Sequence, residues 1–326
     1  MATFTLPSFS SSRSLLKSKR PADSSKSTPM VNCSTTLPAS WYTSKAVYSL
    51  ERRAVFLKSW MLLGAVTRWP EVGRDYSYEL AQIKFLVRRD SADPKSLRVF
   101  SDPEGQEMRS HLTPTGLLFM TLSDETVSFE EYFPGLEDLI AHVDFTKFQV
   151  RRTLKYPGNY NWKAMVDGFQ ECLHCPYAHP AFSKAYAPTT YEIRNKHNYS
   201  QHFVETDRPD DGLFLYFFPN STLNLYAGGM SSFRACPSED PAQTTMLFDY
   251  YHCEPDGSGE FENYFKFART VGLEDHDLCE KTQANLEAGI YTEGVLNPDK
   301  ENGVAYYQGR VLEMCSAQFR EETVRA

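Results

Sequence analysis

The sequence predicts an α+β protein built on an antiparallel sheet. Two observations carry this. The second half is a succession of short runs rich in aromatic and β-branched residues, interrupted by a few helical stretches. The chain, at 326 residues, is also long enough for one large domain with a smaller one, and its 14% aromatic content suits a large core and an aromatic-lined pocket.

The elements follow in order. Residues 1–36 are Ser-rich, with several Lys and Arg and almost no acid; a disordered tail and an organelle transit peptide both fit that composition. Order is expected from Leu37-Pro38. Residues 43–60 place Val47, Leu50, Ala54, Phe56, Leu57 and Trp60 at helical spacings. Residues 82–89 and 116–122 read as strands, separated by a stretch of turn formers. Leu136–Val143 reads as a short helix after Pro134-Gly135. Strands are expected over Phe148–Leu154, much of Tyr191–Glu205, Leu213–Phe218, Thr222–Tyr226, Thr244–Tyr251 and Glu260–Phe267. Helices are expected near 161–175 and 274–288.

Charge and cysteine content narrow the partners. The formal net charge is −8, yet residues 1–40 carry five basic residues and one acid, so the body is more acidic still. Such a body is a poor tracker of phosphate backbones, which argues against nucleic acid. No run approaches 18 apolar residues, so no membrane span is expected. Seven cysteines without a secretory h-region point to reduced thiols inside the cell, cytoplasmic by default and with organelle targeting open. Nucleotide-binding glycine motifs are absent.

The chemistry concentrates in residues 161–180, NWKAMVDGFQECLHCPYAHP, where Cys172, His174, Cys175 and His179 all offer metal-ligating atoms. On a continuous helix, five residues leave two side chains about 140° apart. His174 and His179 can share an ion only if the helix breaks, and Pro176 supplies a break after a last helical turn carrying His174. A closed Cys2His2 zinc site is the alternative, although structural zinc usually draws its ligands from two separated knuckles. Two histidines and a carboxylate make the open triad of non-haem iron. In residues 273–289, LEDHDLCEKTQANLEAG, a helix would carry acids in its first turn. Its apolar stripe of Leu278, Cys279, Thr282 and Leu286 continues back to Asp275. Asp277 shares the solvent face with Glu280, Lys281 and Ala284. Asp275 is therefore the expected third ligand; a plain N-terminal helix acid is the other reading.

These residues resemble the iron-binding stretch of Rieske-type ring-hydroxylating oxygenase α subunits, in particular the choline and carnitine monooxygenase branch with its Glu-Cys-x-His-Cys-x3-His pattern. LPASWYTSKAVYSLERRAVFLKSW resembles that family's N-terminal lead-in. LYFFPNSTLNLYAGG and LEDHDLCEKTQANLEAGIYTEGVLNPDKENGVAYYQ resemble its Phe-Pro-Asn strand and aspartate-bearing segment. The resemblance implies His174, His179 and Asp275 as ligands of a mononuclear Fe(II). It implies Glu171 as the acid bridging that iron to a cluster on a neighbouring subunit. It also implies a helix-grip catalytic domain over 126–326, a Rieske-like domain over 37–125, and a homotrimer. The activity implied is O2-dependent hydroxylation of a small molecule, supported by a reductase; a choline-like member would make betaine aldehyde hydrate.

One departure is large. The family's [2Fe–2S] cluster needs two Cys and two His from C-x-H and C-x2-H. Between Arg89 and Gly116 there is one histidine, His111, and no cysteine stands between Cys33 and Cys172. The first domain is therefore expected to be truncated and without cluster ligands. A cluster-less paralogue or partner subunit, or a gene model lacking the cluster exon, are the alternatives to an active oxygenase. The aromatic residues Phe214, Tyr216, Phe217, Phe218 and Tyr226 are expected in the core, with a cation-binding cage as the other reading.

Overall fold

The computed structural model describes residues 34–205 and 212–325. The tail expected over residues 1–36 lies outside the described residues up to residue 33. Its last residues are ordered, with Thr35 bridged to Val295 and the Thr36 amide donating to the Gly294 carbonyl (2.8 Å).

The N-terminal part begins with helices α1 (Ser40–Thr43) and α2 (Lys45–Ala54). The helix expected to run to Trp60 stops at Ala54. Trp60 instead opens β1 (Trp60–Ala65), a strand buried along its whole length and so lacking the alternation that would announce it. Strands β2 (Asp75–Leu80), β3 (Ile83–Arg89), β4 (Leu97–Ser101) and β5 (Glu107–Met108) form one small antiparallel sheet. With β6 (Ser110–Leu112) and β7 (Leu117–Thr121), β1 forms another in the order β1-β7-β6. Short helices α3 (Phe129–Tyr132) and α4 (Leu136–Ile140) follow; Ser128 and Glu131 close a reciprocal capping box on α3.

The larger part is a seven-stranded antiparallel sheet in the order β8-β14-β13-β12-β11-β10-β9. Its strands are β8 (Gln149–Gly158), β9 (Glu192–Asn195), β10 (Tyr199–Phe203), β11 (Leu213–Phe217), β12 (Ser221–Tyr226), β13 (Gly229–Pro237) and β14 (Thr244–His252). Helices α5 (Trp162–Phe169), α6 (Cys175–Ala178) and α7 (Pro180–Ala185) intervene between β8 and β9. Helices α8 (Gly259–Glu287) and α9 (Asn302–Arg325) follow β14. β13 was not legible in sequence. It is central, all nine of its residues are buried, and it carries two serines and an arginine where an apolar run would be expected.

The run Glu260–Phe267, expected as a strand, is the first part of α8. Phe261, Tyr264, Phe265 and Ala268 recur at helical spacing as well as alternating locally, and Ser258 caps the helix by accepting from the Phe261 amide (3.2 Å). α8 packs on α5, β8 and β13.

Two buried ion pairs tie the N-terminal part to the large sheet and its helices. Glu51 on α2 pairs with Lys163 on α5 at 2.7 Å, both side chains fully buried, while Trp162 Nε1 donates to its other oxygen (3.0 Å). Asp249 on β14 lies between Arg68 and Arg234, and Thr153 Oγ1 donates to it (2.6 Å).

Candidate metal centre

α5 begins where the Asn161 side chain accepts from the Lys163 amide (3.1 Å), and its last backbone bond runs from Gln170 to Val166. The helix expected to reach residue 175 therefore ends at Phe169, and Gln170–His174 is irregular. Gly303 of α9 packs against this segment; a Cβ there would collide with the Gln170 carbonyl oxygen. Pro176 does not close a helix. It sits in the first turn of α6, where its missing N–H is no loss. His174 and His179 flank that single turn, with backbone φ of −76° and −120°. The break that lets both rings face one point is present, but upstream of the expected place.

His174 Nε2 and His179 Nε2 are 3.0 Å apart. Asp275 Oδ1, from α8, is 2.8 Å from His179 Nε2 and 3.3 Å from His174 Nε2. Among the described residues this is the one group of three or more Cys, His, Asp or Glu side chains gathered closely enough to hold a metal ion. Asp275 lies deep inside α8, which starts sixteen residues earlier at Gly259, so the reading of an acid held by a helix N-terminus does not apply. Asp277 points to solvent and pairs with Lys281 (2.5 Å). The buried stripe beyond Asp275 is Cys279, Gln283 and Leu286; Thr282, expected in it, is exposed.

Each imidazole is also held from behind. Glu171 pairs with His174 Nδ1 and accepts from the Leu173 amide. Glu274 Oε2 is 2.8 Å from His179 Nδ1. Sequence reasoning missed Glu274; its signal was the acid adjacent to the expected ligand in Leu-Glu-Asp-His-Asp. Burial disfavours a charged His174, but Asp275 and Glu171 outweigh it and push the ring up to about 10. Burial likewise works against the Asp275 carboxylate, and the two histidines outweigh it, holding it down at about 2.

Cys172 and Cys175 are joined as a disulfide, which corrects the expectation of reduced thiols at these positions. Their sulfurs are bonded to each other, so the closed Cys2His2 zinc site is not formed. The other described cysteines, Cys236, Cys253, Cys279 and Cys315, are free.

The trio borders a small cavity of about 90 Å³ walled by aromatic rings, including Phe182, Phe214, Tyr226, Phe233, Phe248 and Tyr250. The five rings singled out in the sequence divide. Phe214 and Tyr226 line the cavity, whereas Phe217 packs on Phe119 and Phe133, Tyr216 faces Tyr307, and Phe218 is buried. Behind it, Tyr191 O–H donates to His202 Nδ1 (2.7 Å) and His202 Nε2 donates to Gln170 (2.8 Å); burial depresses His202 to about 3.

Two imidazole nitrogens and one carboxylate oxygen, each ring oriented by a further carboxylate, fit a six-coordinate ferrous ion with open positions. The residues do not fit a Rieske cluster. His111 is stacked on Phe129 (4.0 Å between centroids) and bonded to Glu137 (2.8 Å), with no cysteine in its part of the chain. No helix among the described residues is long and apolar enough to cross a membrane.

The chain is similar to known proteins in sequence and in fold. Residues 145–209 and 190–317 match the family described as ring hydroxylating alpha subunit (catalytic domain). The carnitine monooxygenase oxygenase subunit of Acinetobacter baumannii is 25% identical over 227 residues, 61% of this chain and 60% of that protein. The chloroplastic choline monooxygenase of Amaranthus tricolor is 21% identical over 336 aligned positions, 83% of this chain and 76% of that protein. The chain thus spans about 60% of the carnitine monooxygenase subunits it matches. In fold it is similar to a quaternary ammonium Rieske monooxygenase linked to carnitine oxidation by gut microbiota, at a TM-score of 0.77 and 17% identity, covering 87% of this chain and 96% of that one. Naphthalene 1,2-dioxygenase from Rhodococcus sp. aligns at a TM-score of 0.65 and 15% identity, covering 86% and 94%.

Proposed function

The chain belongs to the ring-hydroxylating α-subunit family, and from that premise we propose that it is a mononuclear non-haem iron oxygenase that hydroxylates a small organic molecule with O2. The convergence of His174 Nε2, His179 Nε2 and Asp275 Oδ1 on one point beside an aromatic cavity carries this reading. Bound there, a ferrous ion supplies the activation of dioxygen for insertion into a C–H bond.

The chain's own residues have separable roles. His174, His179 and Asp275 hold the ion. Glu171 and Glu274 fix the ring orientations by accepting from the Nδ1 side. The aromatic wall excludes water and binds the apolar part of the substrate; its ring faces also suit a quaternary ammonium group through cation–π attraction. Carnitine, choline and glycine betaine monooxygenase subunits among the relatives support a substrate of that kind, choline included. We further propose the domain division near residue 125, a homo-oligomeric assembly, and an external reductant.

A second reading, a partner subunit that keeps the fold without turnover, is favoured by the missing cluster ligands. Peroxide-driven turnover separates the two, because hydrogen peroxide brings oxygen and electrons together. The iron-loaded protein should give slow hydroxylation of choline, carnitine or glycine betaine, detected by mass spectrometry and lost in His174→Ala. No product from any of a broad panel would favour the partner subunit.

A further inference from the structure

We propose that Cys172 and Cys175 form a two-electron donor at the metal site, doing for this chain what a cluster does elsewhere. The inference rests on the oxygenase reading above and concerns where the electrons come from. The two cysteines bracket His174, Cys172 directly follows Glu171, and both line the same cavity as His174, His179 and Asp275. None of the other described cysteines lines that cavity. Their Cα atoms lie 5.1 Å apart, within the span that a disulfide bridges. Cys172, itself 8% exposed, also borders a second groove, with Leu173, Pro176, Tyr177 and Pro188, and this is the side from which a small dithiol would approach.

The stoichiometry closes. Hydroxylation by O2 places one oxygen atom in a C–H bond and releases the other as water, which consumes two electrons and two protons. Two thiols becoming one disulfide release that same number. One C–H bond, two S–H bonds and the O–O bond of O2 are broken, an alcohol, a water and an S–S bond are formed, and no further co-reactant enters. The pair is then restored by thiol–disulfide exchange. A dithiol thiolate attacks one sulfur, and its second thiol displaces the mixed disulfide, leaving the dithiol oxidised and the cysteines reduced.

The test is a single oxidation of the full chain. Protein reduced with dithiothreitol and freed of it under nitrogen is loaded with one equivalent of Fe(II), mixed with choline, and exposed to air. Samples are quenched with iodoacetamide at intervals, and the Cys172–Cys175 disulfide and the choline product are both measured by mass spectrometry. The disulfide should form at least tenfold faster with Fe(II) than in metal-free protein or in His174→Ala. At most one equivalent of product should form per chain, and none in Cys172→Ser/Cys175→Ser. Equal rates of disulfide formation with and without Fe(II), or an unchanged product yield in the double variant, would overturn the proposal. Iron-dependent disulfide formation without choline product would support the thiol donor while removing choline as substrate.

Discussion

Asp275 Oδ1 lies 2.8 Å from His179 Nε2 although 96 residues separate them in sequence. Two independent pieces of architecture produce that contact. One is the single turn α6, which holds His174 and His179 at its ends; the other is the long helix α8, whose inner face carries Asp275 and its neighbour Glu274.

Metal binding should follow this geometry. The anaerobically reconstituted protein is expected to take up one Fe(II) per chain, measured by titration calorimetry and iron analysis. His174→Ala or His179→Ala should abolish binding, since two remaining donors leave the ion under-coordinated. Asp275→Ala should weaken it far more than Asp277→Ala, because Asp277 pairs with Lys281 at the surface. Equal losses from the two aspartates would refute the assignment.

The carboxylates behind the rings should matter almost as much. Glu274→Gln and Glu171→Gln keep a hydrogen-bond acceptor but lose the charge facing Nδ1. Each should weaken Fe(II) binding by about 10- to 100-fold, as outer partners of metal-bound imidazoles typically do. Affinity unchanged in both variants would mean that the rings are positioned by packing alone.

The site was legible where spacing and chemistry coincide. His174, His179 and Asp275 stood out because donor atoms, a proline and a helical face pointed the same way. Glu274 did not, since an acid beside a ligand carries no spacing signal. The fold was legible where one face of a strand meets solvent, as in β3. It was hidden in β1 and β13, which are buried on both sides, and in α9, whose residues 303–309 are buried in an unbroken run with no single apolar stripe. Glu260–Phe267 misled because a short aromatic run satisfies both periods, and only its continuation to Glu287 decides between them.

No Rieske centre should form. After iron–sulfide reconstitution, visible absorption and electron paramagnetic resonance should show no such cluster. His111 is committed to Phe129 and Glu137, and the sequence has no cysteine between Cys33 and Cys172. A stable Rieske spectrum would mean that ligands are drawn from elsewhere in the chain.

The Glu51–Lys163 pair should be a sensitive point of stability. Both side chains are fully buried, so Glu51→Ala strands an ammonium and the Trp162 indole N–H in the interior. A loss of about 3–5 kcal/mol is expected in urea unfolding. Glu51→Met/Lys163→Met should cost less than the single change, because no unpaired charge is then left buried. A double variant worse than Glu51→Ala would show that the pair adds more than it costs to desolvate.

Asp167 should impose a pH dependence on stability. It is buried on α5, accepts from Tyr42 (2.8 Å), Gln308 (2.6 Å) and Tyr307, and is pushed up to about 6, with burial the dominant cause against those hydrogen bonds. Its folded value lies above the unfolded value near 4, so the folded state binds the extra proton between those two pH values. The resulting stabilisation is fully present below about pH 4 and is lost as pH rises through about 6. Asp167→Asn is neutral throughout and lacks this term. Between pH 4.5 and pH 7, the stability of wild type should therefore fall relative to Asp167→Asn by about 2 kcal/mol, read from paired urea unfolding curves. Comparing the two proteins at each pH removes the titrations they share, including those of the metal-site histidines. A difference that stays constant across that range would show that Asp167 is ionised throughout, held by its three donors.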